Sequence, residues 1–166
     1  MKKLFALLLA ALMLFSLAAC GGEEETTAPA ETTTEAPTTT EPVAEGEEVA
    51  TANGYAKITP AGDWEYKGEY SEGMLQFDNK AVAGASVYIS EKQGFEAQKK
   101  SLEYAYISAS FEEITIGDNT YTYMQAKEDL AYLIAPVEAE GDYCVYIQIR
   151  GGSLEDARVL LENVKM

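Results

Sequence analysis

All 11 tyrosines and the only tryptophan of this 166-residue chain lie within residues 53–166, and residues 21–52 contain no aromatic side chain. A stretch so poor in large apolar groups cannot bury enough surface to offset the entropy lost on ordering it. A packed core is therefore expected only within residues 53–166, a length that suits one domain.

Inside that domain the apolar period is mostly two. Residues 55–59 read as a strand, and Pro60 to Asp63 supplies a turn. In residues 64–70 alternation places Trp64, Tyr66 and Tyr70 on one face and Glu65, Lys67 and Glu69 on the other. Short strands follow at 74–77 and 85–89, the second with Ala85, Val87 and Ile89 on one side. The period lengthens over 94–110, where Phe95, Leu102, Tyr106 and Ala109 fall on one helical stripe. Strands at 113–116 and 119–126 flank a Gly117-Asp118 turn, and residues 130–137 lead through an acidic turn into residues 143–150. That last run is apolar enough to predict a central strand covered on both faces. Ser153 is placed as the N-cap of a closing helix, with Asp156 near its positive end and Leu154, Ala157, Leu161 and Val164 as its buried stripe. The connections are short, so the expected fold is α+β: a mainly antiparallel sheet of six to eight strands with two helices packed on it. This order of elements, with its Pro-Ala-Gly-Asp-Trp segment at 60–64, resembles the PsbP-like α/β/α sandwich. The resemblance brings no catalytic motif and implies binding or assembly work by analogy.

Ahead of the domain the chain changes character twice. Residues 21–52 repeat Glu, Thr, Ala and Pro without apolar period, and Pro29, Pro37 and Pro42 interrupt any helix. A disordered tether is expected, able to span at most ~100 Å at ~3.3 Å per residue. The alternative use of such a Thr-Pro pattern is an O-glycosylated stalk. Residues 1–19 begin with Lys2 and Lys3 and continue as a 12-residue apolar run from Leu4 to Phe15. The run falls short of the ~20 residues needed to span a bilayer, which marks a secretion signal.

The end of that signal, Leu17-Ala18-Ala19-Cys20, resembles the bacterial lipobox. The resemblance implies that Leu17, Ala18 and Ala19 are read by a signal peptidase. It also implies that Cys20 carries a diacylglyceryl thioether, holding the mature protein on the outer face of the cell membrane. A two-chain lipid makes such an anchor stable. The Cys-Gly-Gly start and Thr-rich tether resemble Gram-positive lipoproteins.

Charge and missing residues narrow the rest. Loss of Lys2 and Lys3 with the signal leaves 10 bases against 28 acids, and the domain alone holds 10 against 19. Nucleic acid, which needs a cationic surface, is not an expected partner. With no histidine in the chain, Ser-His-Asp, Cys-His and His-based metal chemistry are excluded. With Cys20 lipidated, Cys144 has no disulfide partner within the chain and is expected to be a buried structural thiol. No acid cluster has the spacing of a calcium loop, and Gly84 and Gly151-Gly152 belong to no phosphate-binding motif, so no cofactor or metal is expected.

Tyrosine is the one excess, and Trp64, Tyr66, Tyr70, Tyr121 and Tyr123 are the candidate binding surface. The competing reading is that tyrosine simply favours half-buried strands. The expected function is a non-catalytic, membrane-anchored extracytoplasmic domain that binds a protein or small ligand. The alternative is a carboxylate-dependent cell-wall hydrolase, which would need two converging carboxylates.

Overall fold

The computed structural model describes residues 46–139 and 141–166. The expected signal segment, Leu17, Ala18, Ala19, Cys20 and most of the expected tether lie outside the described residues. Strands β1 (Val49–Ala50), β2 (Lys57–Ile58), β3 (Trp64–Ser71), β4 (Met74–Asn79) and β5 (Ser86–Gln93) precede helix α1 (Phe95–Ala105). Then come β6 (Phe111–Ile116), β7 (Asn119–Lys127), β8 (Leu130–Pro136), β9 (Tyr143–Arg150), helix α2 (Leu154–Leu161) and β10 (Val164–Lys165).

Seven strands form the main sheet in the order β3-β4-β5-β9-β8-β7-β6, and β1, β2 and β10 form a small second sheet. Every neighbouring pair is antiparallel. The described residues thus form an α+β domain, with a mainly antiparallel sheet and two helices. Short connections join all neighbours in the main sheet except β5 and β9, between which α1 and the β6-β7-β8 meander are inserted.

Alternation along each strand divides the apolar residues between two cores. On one side of the main sheet, Phe77, Val87, Ile89, Leu133, Val145, Ile147 and Ile149 pack with Ala157, Leu160 and Leu161 of α2 and with Ile58 and Val164 of the small sheet. On the other side, Leu102 of α1 packs on Met124, Tyr132, Ile134 and Cys144, with Phe95, Tyr106, Ala109 and Phe111 partly buried around them. Each fully buried aliphatic side chain contributes about 1.5–3 kcal/mol by leaving water.

The helices are specified locally. Ser153 caps α2: its hydroxyl accepts from the Asp156 N–H, and the Asp156 carboxylate accepts from the Ser153 N–H at 2.8 Å. This reciprocal pair satisfies two amides that the first helical turn leaves free. The Trp64 indole N–H donates to the Asp156 carbonyl at 3.1 Å, fastening β3 to the same turn. Helix α1 holds Phe95 and Leu102 of the expected stripe but stops at Ala105, short of residue 110, so that Tyr106 and Ala109 lie beyond it. Tyr106 leaves helical geometry at φ −131°, and the following Ile107, Ser108 and Ser110 are weak helix formers.

The pair Gly151-Gly152 has a steric explanation. Gly151 sits at φ 65°, and a Cβ there would lie 2.1 Å from the Gly84 carbonyl oxygen. The turn after β9 therefore approaches the turn before β5 more closely than any side chain allows.

The ordered domain starts before the expected boundary at Asn53. Val49 and Ala50 pair with Ile58 and Lys57, and Thr51 is only 3% exposed. The Thr51 hydroxyl accepts from the Ala56 N–H at 3.0 Å and donates to Glu91 on β5. The same carboxylate accepts from the backbone N–H groups of Asn53 and Tyr55, at 2.9 and 2.8 Å. Burial alone would raise the Glu91 pKa, but the hydrogen bonds from Thr51, Tyr55 and Asn53 outweigh it and hold the carboxyl below its ordinary value. One acid on the sheet thus clips down the segment that enters the domain. Among the described residues no helix is long and apolar enough to cross a membrane.

Candidate functional site

Four of the five candidate surface aromatics belong to the core. Trp64, Tyr66, Tyr121 and Tyr123 are 4%, 7%, 0% and 7% exposed, so they offer no platform. They lie on the α2 side of the sheet, where the helix and small sheet close over them. Tyr70 is 63% exposed, and it does not share the face of Trp64 and Tyr66 as simple alternation predicts. Two register shifts in β3, between Tyr66 and Gly68 and between Glu69 and Ser71, each add a residue. Gly68, at φ 104°, permits the first of them. The result turns the Tyr70 ring onto Tyr88 of β5, with centroids 5.2 Å apart and planes at 70°.

Tyr88 lies on the opposite side of the sheet, in a row that the register defines strand by strand. Gln76 on β4 pairs with Tyr88 on β5, Tyr88 with Gln148 on β9, Gln148 with Tyr132 on β8, and Tyr132 with Met124 on β7. A parallel row runs Glu65, Asp78, Ser86, Arg150, Leu130. Both rows change from polar to apolar at the β9-β8 boundary. Helix α1 covers the apolar half, and no described element covers the polar half over β3, β4, β5 and the end of β9. Gln148 is half-buried and Arg150 exposed, so the expectation that β9 is covered on both faces fails at its C-terminal end.

The uncovered half is organised by its own contacts. The Asp78 carboxylate accepts from Gln76 Nε2 at 2.9 Å and from the Ser86 hydroxyl at 2.7 Å, both on one oxygen. The Gln148 amide donates to the Tyr132 hydroxyl at 2.9 Å, and that hydroxyl lies 3.0 Å from the hydroxyl of Tyr106. The Arg150 guanidinium sits 5.4 Å from the centre of the Tyr88 ring, within cation–π range. Glu65 is paired with Lys67 at 2.8 Å and Lys80 at 4.0 Å, and these contacts, led by the Lys67 hydrogen bond, hold its carboxyl below the ordinary value. Rings Tyr106, Tyr132 and Tyr146 form a tilted chain with successive centroids 5.7 Å apart, along the line where α1 meets the open half. Burial, followed by the neighbouring Tyr106, pushes the Tyr132 phenol up to about 12, and burial likewise raises Tyr146. These phenols are neutral hydrogen-bonding groups at physiological pH.

Tyr88, Tyr146, Gln148 and Arg150 were not among the sequence candidates, although their signal is present. In β9, Tyr146, Gln148 and Arg150 alternate with Val145, Ile147 and Ile149, and in β5 Ser86 and Tyr88 alternate with Val87 and Ile89, whereas Ser90 beyond them is buried. A polar stripe in a strand that pairs on both sides marks a sheet face left open.

Cys144 lies at the other end of β9. It is buried, its thiol donates to the Lys92 carbonyl at 3.5 Å, and burial, then the charge of Asp142, pushes its pKa up to about 11. At neutral pH it is a protonated core side chain, as expected for a structural cysteine. A separate groove of about 540 Å³ is lined by Asp118, Asn119, Val137, Glu138 and Met166 among others. Its lining has two carboxylates but neither a ring nor a base, so it lacks the mixed chemistry of the open half-sheet.

No family model matches the chain, and no curated protein matches it. One solved structure, a 1.50 Å crystal structure from Bacteroides thetaiotaomicron VPI-5482, is similar at 17% identity and a TM-score of 0.48, over 73% of this chain. The chain spans about half, 48%, of the length of that structure.

Proposed function

We propose that the chain is a lipoprotein anchored to the outer face of the cell membrane through Cys20, and that its domain binds an extracytoplasmic protein or small ligand without catalysing its turnover. The lipobox-like Leu17-Ala18-Ala19-Cys20 supports the anchor. A helix on either side of an antiparallel sheet supports kinship with PsbP-like domains.

The observation that carries the binding role is the open half-sheet. There Tyr88 and Tyr70 are flanked by Gln76, Asp78, Gln148 and Arg150, with several of these side chains fixed by mutual hydrogen bonds. A preorganised mixture of rings and polar groups is what a recognition surface requires. Carboxylate chemistry is less well supported. A general acid needs a raised pKa, whereas among the described residues Glu48, Glu65, Glu91 and Asp156 are held low by their hydrogen-bond and ion-pair partners.

Metabolic labelling with an alkynyl palmitate, followed by mass spectrometry of the mature N-terminus, tests the anchor. An acylated cysteine is expected, absent from Cys20→Ala. Any other mature N-terminus would contradict the proposal. Turnover of wall fragments by the purified protein, lost on substitution of a carboxylate, would overturn the non-catalytic role.

A further inference from the structure

We infer that the outer edge of β6 is an interface between two copies of this chain, paired as antiparallel strands into one continuous sheet about a two-fold axis at Ile114. The main sheet ends in β3 and β6, and its two ends are finished differently. β3 carries two register shifts, with Gly68 at φ 104° and Lys67 just before it. Bulges and lysines blunt an edge against further pairing. β6 pairs with β7 over all six of its residues without a shift, and its sequence, Phe-Glu-Glu-Ile-Thr-Ile, has no proline, glycine or lysine. The edges of the small sheet, β1 and β10, are only two residues long.

The backbone of β6 is the second support. Gly117, at φ 57°, begins a two-residue turn that makes Ile116 and Asn119 a hydrogen-bonded pair. Alternation then points the N–H and C=O groups of Phe111, Glu113 and Thr115 away from β7. Among the described residues no strand lies beyond β6, and no other backbone group bonds to these three. An added strand would satisfy them in register.

The side chains select a second copy as that strand. Two copies related by a two-fold axis through the sheet keep the same face up, so the axis passes through one residue of β6. Centred on Glu113, the pairing would set that carboxylate against its own copy, and like charges directly opposite are destabilising. Centred on Ile114, it sets Ile114 against Ile114, Glu113 against Thr115 and Glu112 against Ile116, with no like charges opposed. The outward-pointing Glu113 and Thr115 then exchange backbone bonds on both sides of the axis. Ile114 is partly buried at the margin of the α2-side core, which the pairing would continue across the interface. On the loop leading into β6, Ile107 is 89% exposed, the most exposed large hydrophobic side chain among the described residues. An edge of six residues is small beside the roughly 1,000 Å² of a stable interface, so the association is reversible.

Ile114→Cys in the full chain, oxidised with copper phenanthroline on the cells that make it, tests the register. Paired Cα atoms at a non-hydrogen-bonded position lie about 4.5 Å apart, within disulfide reach. A bridged dimer is expected, with the bridge located at position 114 by mass spectrometry and so distinguished from one through Cys20 or Cys144. Glu112→Cys should give none, because its two copies would lie about 13 Å apart along the strands. Sedimentation of the purified mature protein is the second readout. Thr115→Glu, which opposes Glu113 with a like charge, should weaken self-association about tenfold, whereas Tyr104→Glu, at a position 87% exposed on α1, should change it less than about threefold. With 10 bases and 19 acids in residues 53–166, the copies repel at long range, so added salt should tighten the wild-type dimer. Near-ultraviolet dichroism of the buried Trp64 reports whether each variant is folded. If Ile114→Cys is not, a mixture of Glu113→Cys and Thr115→Cys chains replaces it, with bridges expected only between unlike chains. A monomer at every concentration tested, equal bridging from positions 112 and 114, or a bridge from position 114 only to a different protein overturns the inference.

Discussion

The two faces of the seven-stranded sheet are built from the same strands and finished differently. On the α2 side, side chains from all seven strands or their immediate neighbours are closed over by a capped helix and a three-stranded sheet. On the α1 side, among the described residues, one helix covers β9, β8 and β7 and leaves the polar corner over β3, β4 and the start of β5 without a covering element. The first face shows where stability is concentrated. The second carries a pattern of rings, amides and charges on a half-buried polar face, and the proposed binding role rests there.

Adjacent residues on opposite faces make the contrast measurable, and the largest effect is expected on the closed side. Phe77→Ala should cost about 3–5 kcal/mol in urea unfolding, whereas Gln76→Ala, one residue away, should stay within about 0.5 kcal/mol. Comparable costs would mean that the open half is part of the core. Next in size is the clip at the entry to the domain. Glu91→Gln should cost about 1–3 kcal/mol by weakening acceptors for buried and part-buried donors. Because the folded carboxyl titrates below its ordinary value of 4.5, its contribution is fully present above that pH and fades as pH falls through the lower folded value. Wild-type stability should therefore drop more steeply than that of Glu91→Gln on acidification below pH 4.5.

The covered half of the α1 side has its own probe. With its thiol pushed up to about 11, Cys144 should react with iodoacetamide at least about 100-fold more slowly in the folded protein than in urea, followed by mass shift. Rapid labelling would mean that α1 does not seal this end of the sheet. The smallest effect is expected at Tyr121, whose buried hydroxyl faces the Asn119 side chain without satisfactory hydrogen-bond geometry. Tyr121→Phe should be neutral or stabilising by up to about 1 kcal/mol.

Much of this fold is legible in the sequence because most of its strands alternate without interruption. Ala85, Val87 and Ile89 all reach the core, the Gly117-Asp118 turn joins β6 to β7, and Ser153 and Asp156 cap α2. The site is less legible for two physical reasons. A bulge leaves almost no trace in composition, so Tyr70 reads as a companion of Tyr66 until the added residues in β3 turn it over. Coverage of a sheet face depends on where a helix lands, and the length of α1 alone does not say which strands it will cross. Val49 to Thr51 look like tether for a similar reason: their pairing with β2 and the contact of Thr51 with Glu91, 40 residues further along, make them part of the domain.

The contrast between the faces is tested most directly in the living cell, by a benzophenone amino acid placed at position 70 in one variant and at position 159 in another. Both positions are exposed, Tyr70 at 63% beside the open half-sheet and Val159 at 47% on the outer side of α2. Illumination is expected to attach a ligand, protein or glycan, from position 70 and nothing reproducible from position 159. Equal capture at the two positions, or capture from position 159 alone, would contradict the assignment of recognition to the uncovered face.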